Sequence, residues 1–225
     1  MSFIRNKGDC EVIPPEILDS EVLARGIIAP FHYSRSGKKL HEKIFLPPLK
    51  PEPRNDISTL RANFTTIDFI KRHAQSLVKG GGEYKGVLVI NVGAIKSFQR
   101  GGSIKYPEEE FIDEELRNTS ITIDVIFTPL DQNKQIVNKR PICKNDIGLP
   151  CHADLIYPGY SPIIGTPHPI ALRKFAKLLA KAPYTIPFSS IGSEGIDKEK
   201  MACCYFIEED PASTDWTSGD IYSVF

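Results

Sequence analysis

The sequence lacks the features that mark several classes of protein. Its 28 basic and 28 acidic residues cancel to a formal net charge of zero, so it has no bulk attraction for nucleic acid or for an anionic membrane surface. No apolar run approaches the roughly 18 residues of a membrane span, and residues 1–7 contain no apolar segment typical of a signal peptide. We therefore expect a cytoplasmic protein with no membrane partner and no bulk affinity for nucleic acid.

Cysteine is scarce and has no metal-binding spacing. The chain contains 5 cysteines, an odd number, and without a secretory signal they predict free thiols rather than a disulfide framework. Cys143, Cys151 and His152 lack the Cys-x-x-Cys spacing of a structural zinc site. Cys203 and Cys204 lie in an apolar run that is typical of buried residues. The sequence therefore predicts neither a bound metal nor another cofactor.

The composition is that of an ordinary globular protein. With 225 residues, 41% hydrophobic and 25% charged, the chain can bury a full core without disulfides or metals. We expect a single globular α+β domain spanning residues 1–225, with a mixed or mainly antiparallel sheet packed against two longer amphipathic helices. Alternating or continuous apolar residues predict strands near 24–29, 85–92, 121–127, 151–157 and 202–207.

Two segments show the helical period, and a third has helical end signals. Residues 65–79 and 166–181 place apolar side chains at steps of three and four, each after a threonine suited to the N-cap. Residues 15–23 begin with Pro15 and carry early carboxylates, which predicts a short helix. Only a loop separates the predicted strands 121–127 and 151–157, which favours an α+β fold over a doubly wound one.

Three segments fit neither a helix nor a strand of the core. Four prolines make residues 45–53 an extended crossing with polyproline character, and such a segment also suits an SH3-like partner. The acidic run at 108–115 is typical of a solvated face rather than of a metal site. The aromatic tail at 208–225 is interpreted as a segment that docks on another surface.

The sharpest chemical feature is the predicted strand 151–157. Because side chains alternate along a strand, His152 and Asp154 lie on one face, while Cys151, Ala153 and Leu155 lie on the other. A carboxylate beside an imidazole can orient it as a general acid or base. Cys151 and His152 point to opposite faces, which argues against a Cys–His dyad.

Two further residues complete the predicted catalytic set. Arg61 follows two hydroxyl residues and one apolar residue, and its guanidinium suits a carboxylate or phosphate. Asp124 lies in the predicted strand 121–127, on the face with Thr122 and Ile126. If the strands at 121–127 and 151–157 pair, then one sheet face carries Asp124, His152 and Asp154.

Two functional interpretations follow from these residues. In the first, the protein is a small enzyme of hydrolase or transferase type that acts on a polar or anionic substrate through His152, Asp154, Arg61 and Asp124. In the second, the protein is a non-catalytic interaction or accessory subunit whose proline-rich segment, acidic run and aromatic tail bind other proteins. His152 and Asp154 are then an ordinary surface pair. The first predicts that His152 sits in a recess with a perturbed pKa, and the second predicts an exposed apolar patch.

Overall fold

A computed structural model of the chain describes residues 10–34, 36, 39–51, 53–78, 80–98, 121–138, 141–181, 184–187 and 204–208. The strands are β1 (Val22–Ala29), β2 (Tyr33–Ser34), β3 (Lys39–Leu40), β4 (Asp56–Arg61), β5 (Glu83–Asn91), β6 (Asp124–Phe127), β7 (His152–Ile156), β8 (Tyr184–Pro187) and β9 (Cys204–Glu208). The helices are α1 (Ile67–Ser76), α2 (Val92–Phe98) and α3 (Ile170–Lys181), with 3-10 turns at Glu42–Phe45 and Ala62–Phe64.

Seven of the strands form one sheet in the order β6-β7-β4-β1-β5-β9-β8. Neighbouring strands run antiparallel except β8 and β9, which are parallel, and β2 and β3 form a separate two-stranded ribbon. The predicted class, a mainly antiparallel sheet with helices, is thus confirmed in outline. The two longer amphipathic helices are not confirmed as such, because α1 has 10 residues and α3 has 12.

The sheet separates two apolar clusters. Alternation along β1 and β5 sends Leu23 and Leu88 into one cluster, and Ala24 and Val89 into the other. The first cluster contains the apolar side of α3, and the second contains that of α1. This explains why β5 has a continuous apolar sequence, as a strand covered on both faces requires.

Close packing of α1 on β1 requires a glycine. A Cβ atom built at Gly26 would overlap the Cβ of Ala74 on α1, so any side chain there pushes the helix from the sheet. The helix begins at Thr66, whose side chain accepts a hydrogen bond from the Phe69 N–H, the usual N-cap contact. Together these two features place α1 over the middle of β1.

The N-terminal part of the chain differs from the expectation. The helix predicted at 15–23 is wrong: residues 15–20 contain bends and turns, and Val22 and Leu23 begin β1, where they pair with Asn91 and Ile90. A helix of two turns gains little on its own, and the strand pairing outweighs its end signals. The chain after β5 forms α2, in a segment for which the sequence predicted neither a helix nor a strand.

The expectation of free thiols is also wrong in part. Cys10 and Cys143 form a disulfide with their Cα atoms 5.3 Å apart, next to a β-bridge between Val12 and Cys143. An odd cysteine count excludes a fully paired set but not one pair, and the fold brings these two together across 133 residues. Cys151 is a buried free thiol.

Several predicted segments have a limited description. After Phe45, the described residues up to 53 form neither helix nor strand. The acidic run at 108–115 lies outside the described residues, as does the predicted docking tail beyond Glu208. No helix in the part of the chain that is described has the length and apolar character to cross a membrane.

Candidate functional site

The site is built on β7, which is extended from His152 to Ile156. Its partner β4 places Leu60 opposite His152 and Ser58 opposite Asp154, so these side chains share the face that α1 covers.

A turn at Gly148 leads into the strand; its φ of 116° suits only glycine, and a Cβ there would overlap the backbone of Leu130. Cys151 precedes the strand and packs in the α1-side cluster, not with Ala153 as predicted.

Both ring nitrogens of His152 have hydrogen-bond partners. Nδ1 lies 2.9 Å from the backbone oxygen of Thr128, and Nε2 lies 2.5 Å from Ser58 Oγ. A carbonyl oxygen only accepts, so Nδ1 carries the proton of the neutral ring. Nε2 then accepts the hydroxyl proton of Ser58. This is the arrangement in which a histidine acts as general base toward a serine nucleophile.

Asp154 lies beside the same ring. The Thr128 hydroxyl donates to Asp154 Oδ2 at 2.7 Å. The other oxygen, Oδ1, is buried without a hydrogen-bond partner among the described residues and lies 3.7 Å from Nε2 of His152. While the ring is neutral, Nε2 has no proton to share with it. Once Nε2 takes the serine proton, this carboxylate faces the new positive charge.

Burial perturbs both titrating groups. It lowers the pKa of His152 below the ordinary 6.5, and the negative charge of Asp154 opposes this shift. Burial likewise raises the pKa of Asp154, against the effects of His152 and the Thr128 hydroxyl. We conclude that His152, only 3% exposed, is neutral at pH 7. A general base needs that protonation state.

Ser58 opens onto a cleft in the middle of the sheet. Among the described residues, β1 and β4 pair at only two positions, Leu23 with Arg61 and Ala24 with Leu60. Beyond these, β1 pairs with β5 alone and β4 with β7 alone. The seam between them forms a cleft of about 90 Å³ under α1. The polar residues that line it are Arg25, His32, Ser58, Thr59 and His73.

The two cleft histidines are uncharged at neutral pH. Burial lowers the pKa of His32 to about 3, and its Nδ1 accepts a hydrogen bond from Ile28 N at 3.3 Å. Burial also lowers the pKa of His73, helped by the nearby His152. Neither ring therefore adds a positive charge to the cleft.

Arg61 is held elsewhere. Its side chain is fully buried and forms a double hydrogen bond with Glu21, at 2.7 Å from Nε and 2.6 Å from Nη2. Nη1 and Nη2 also donate to the backbone oxygens of Pro14 and Glu16. The rings of Phe64 and Phe127 cover the guanidinium, which lies 4.6 and 4.9 Å from their centroids. Arg61 has no open face for a substrate and does not join the cleft.

Asp124 is the other predicted residue that lies away from the cleft. β6 does pair with β7, with Asp124 opposite Ile156 and Ile126 opposite Asp154. Asp124 therefore shares a face with His152 and Asp154, as the pairing conjecture required. It is solvent-exposed at the start of an edge strand and does not line the cleft.

Two other chemistries find no support in the described residues. No group of three or more His, Cys, Asp or Glu side chains in these ranges is placed to hold a metal ion. Burial raises the pKa of the Cys151 thiol to about 11, so this cysteine is a thiol rather than a reactive thiolate at neutral pH.

The structure thus brings together two of the four predicted residues and adds three that the sequence analysis missed. These three are Ser58, Thr128 and Arg25. Ser58 is one of the two hydroxyl residues that precede Arg61, and Thr128 follows the predicted strand 121–127. Neither belongs to a recognisable motif. Comparison of the chain with protein-family models, curated proteins and solved structures finds no match.

Proposed function

We propose that this protein is a hydrolase or transferase of the acyl-transfer type, with Ser58 as nucleophile and His152 as general base. The observation that carries the proposal is the 2.5 Å contact between Ser58 Oγ and His152 Nε2, in a ring whose Nδ1 is held by a backbone carbonyl. Asp154 is the third member, since Oδ1, which has no hydrogen-bond partner in the described part of the chain, faces the nitrogen that becomes charged.

The reaction proceeds in two half-reactions. Ser58 Oγ attacks the carbonyl carbon of the substrate while its proton passes to His152 Nε2, and the C–O bond forms a tetrahedral adduct. The adduct collapses, the bond to the leaving group breaks, and the leaving group takes the proton from Nε2. Water, or another hydroxyl acceptor, then repeats the attack on the acyl-serine and releases the acyl group. Water as acceptor makes the protein a hydrolase, and any other acceptor makes it a transferase.

Hydrolysis of an activated ester tests this proposal. With 4-nitrophenyl acetate as the probe, Ser58→Ala and His152→Ala are each expected to lower kcat/KM by about 10²- to 10⁴-fold. Ser36→Ala and His168→Ala are matched controls, because neither residue lines the cleft, and both should retain full activity. Circular dichroism of each variant checks that the fold is kept. Full activity in either site variant contradicts the proposal.

A protein-interaction role is the second candidate. Three isoleucines that are close in sequence have exposed side chains: Ile163 (65%), Ile164 (73%) and Ile170 (65%). Exposed apolar side chains of this kind favour a surface that another protein covers. The double variant Ile163→Asp/Ile164→Asp is then expected to break a complex or oligomer that light scattering detects. A monomer with and without the substitutions contradicts this role.

A cytoplasmic location remains a prediction from the sequence. The Cys10–Cys143 disulfide stands against it, because such bonds are rare in reducing compartments. Trapping of thiols in intact cells tests the point: free Cys10 and Cys143 support the cytoplasm, and an intact disulfide contradicts it.

A further inference from the structure

Arg25 brings a positive charge to the lining of the cleft beside Ser58. Arg25 is the fully charged residue among the described side chains that line the cleft, and none of these is a carboxylate. The two histidines there are neutral at pH 7, as their lowered pKa values require. An anion entering the cleft therefore meets a cation in the wall, whereas the carboxylates that act on Arg25, Asp154 and Asp56, lie outside the lining.

Arg25 also has a donor group that no described residue uses. Its Nη1 is buried and has no hydrogen-bond partner among the described residues. Burial lowers the pKa of Arg25 to about 10, while Tyr157 and Asp154 act to raise it. A guanidinium at that pKa is still charged at neutral pH, and a buried donor without an acceptor carries a desolvation cost. A ligand oxygen in the cleft removes that cost.

The size of the cleft limits the ligand. About 90 Å³ is well below the roughly 300–1,000 Å³ of sites for drug-sized molecules. It suits a carboxylate on a short carbon chain rather than a nucleotide or a peptide. The planar, two-oxygen carboxylate also matches the fork of a guanidinium.

We propose that Arg25 binds a carboxylate in the acyl part of the substrate, and so selects small acyl groups that carry a negative charge. This inference rests on the proposed function of Ser58 for its catalytic half, whereas the anion site itself can be tested without catalysis. Arg25 is a specificity residue in this scheme, because it contacts the substrate at a distance from the reacting carbonyl.

A pair of esters tests the selectivity. Mono-4-nitrophenyl glutarate carries a carboxylate, and 4-nitrophenyl pentanoate has a neutral chain of similar length. In the full chain, Arg25→Gln is expected to lower kcat/KM for the glutarate ester by about 10- to 100-fold and for the pentanoate ester by less than about 3-fold. Arg25→Lys should recover part of the loss, because it restores the charge without the fork. Arg72→Gln is the matched control: Arg72 forms an exposed pair with Asp68, does not line the cleft, and should leave both rates unchanged. Equal losses on both esters contradict the proposal.

Calorimetric titration with free glutarate separates the anion site from the chemistry. Ser58→Ala keeps the cleft and removes the nucleophile, so it should bind glutarate, and the double variant Ser58→Ala/Arg25→Gln should bind it at least about 10-fold more weakly. If both esters remain intact but glutarate binds in this way, the proposed acyl transfer fails and the anion site stands. If Ser58→Ala does not bind glutarate, or binds inorganic phosphate in its place, the carboxylate site is contradicted.

Discussion

Arg61 and Arg25 lie on the neighbouring strands β4 and β1 and have opposite surroundings. Arg61 donates to a carboxylate and to two backbone oxygens and is covered by two aromatic rings. Arg25 has a buried nitrogen with no acceptor among the described residues. A buried cation whose three nitrogens all donate to the protein holds the fold together, whereas one with a nitrogen that has no acceptor among the described residues is available for a ligand. Burial and residue type alone do not separate these two roles.

The same contrast applies to the acidic residues. Both oxygens of Glu21 accept from Arg61, so this carboxylate is fully used within the fold. Asp154 has one oxygen that accepts from Thr128 and one that is buried with no hydrogen-bond partner in the described ranges. The cluster around Arg61 is therefore closed, and the cluster around His152 is incomplete in its resting state.

The largest effect, on the free energy of unfolding, is expected when Arg61 is removed from its hydrogen-bonded cluster. Arg61→Met leaves Glu21 buried and unpaired, which should reduce the free energy of unfolding by about 3–5 kcal/mol. Arg72→Met is the matched control, because Arg72 forms an exposed pair with Asp68, worth about 0.5 kcal/mol or less. Urea denaturation measures both. If Arg61→Met and Arg72→Met lose a similar amount of unfolding free energy, the Arg61 cluster does not stabilise the fold.

A smaller effect should follow a change in the incomplete cluster. Asp154→Asn removes the charge that faces protonated His152, so kcat/KM for the acetate ester should fall by about 10- to 100-fold. The acid limb of the pH–rate profile should also move to lower pH, because Asp154 raises the pKa of His152. Asp124→Asn, an exposed change on the same face, should alter neither. An unmoved acid limb in Asp154→Asn contradicts the role of Asp154.

The cleft histidines predict how stability depends on pH. The pKa of His32 is lowered to about 3 in the folded protein, so between pH 6.5 and 3 the unfolded chain binds a proton that the folded chain does not. This contribution to stability is complete above about pH 6.5 and is lost as the pH falls, at about 1.4 kcal/mol per pH unit for one proton. His32→Gln retains an acceptor for Ile28 N. In this variant, the free energy of unfolding should fall less steeply between pH 6.5 and 3, by the same amount of about 1.4 kcal/mol per pH unit. A variant profile as steep as that of the unmodified protein contradicts the assignment.

The smallest effect on the free energy of unfolding is expected for replacement of Arg25. Arg25→Met removes a partly buried charge that lacks a full set of partners, so the free energy of unfolding should change by less than about 1 kcal/mol, toward greater stability. Thermal unfolding at pH 7 measures it. A loss of more than about 2 kcal/mol would make Arg25 a structural residue like Arg61 and would remove the contrast between them.

The scaffold was predictable where burial imposes a pattern. The continuous apolar run of β5 and the alternation through Phe127 predicted strands at positions close to those observed, since both faces of β5 and one face of β6 meet a core. Helix end signals alone did not predict the structure of residues 15–23 correctly. Val22 and Leu23 are stabilised more by strand pairing with β5 than by a short helix.

The site was only partly predictable. His152 and Asp154 stood out because two polar residues interrupt a strand. Ser58 did not, since a serine on a strand is unremarkable until a partner 94 residues away faces it. Thr128 orients His152 through a backbone oxygen, a group that every residue has. The hydroxyl residues before Arg61 suggested that its guanidinium binds an anionic substrate. The guanidinium instead forms an ion pair with Glu21, and this pairing is determined by the tertiary fold.

Covalent labelling tests the central claim most directly. A fluorophosphonate reacts with a serine whose proton is removed by a positioned base, and the adduct is located by mass spectrometry of peptides. We predict one adduct, on Ser58, in the unmodified protein, and at least about 100-fold slower labelling in His152→Ala. Labelling of Ser58 at an unchanged rate in His152→Ala, or no adduct on Ser58 in the unmodified protein, would contradict the account.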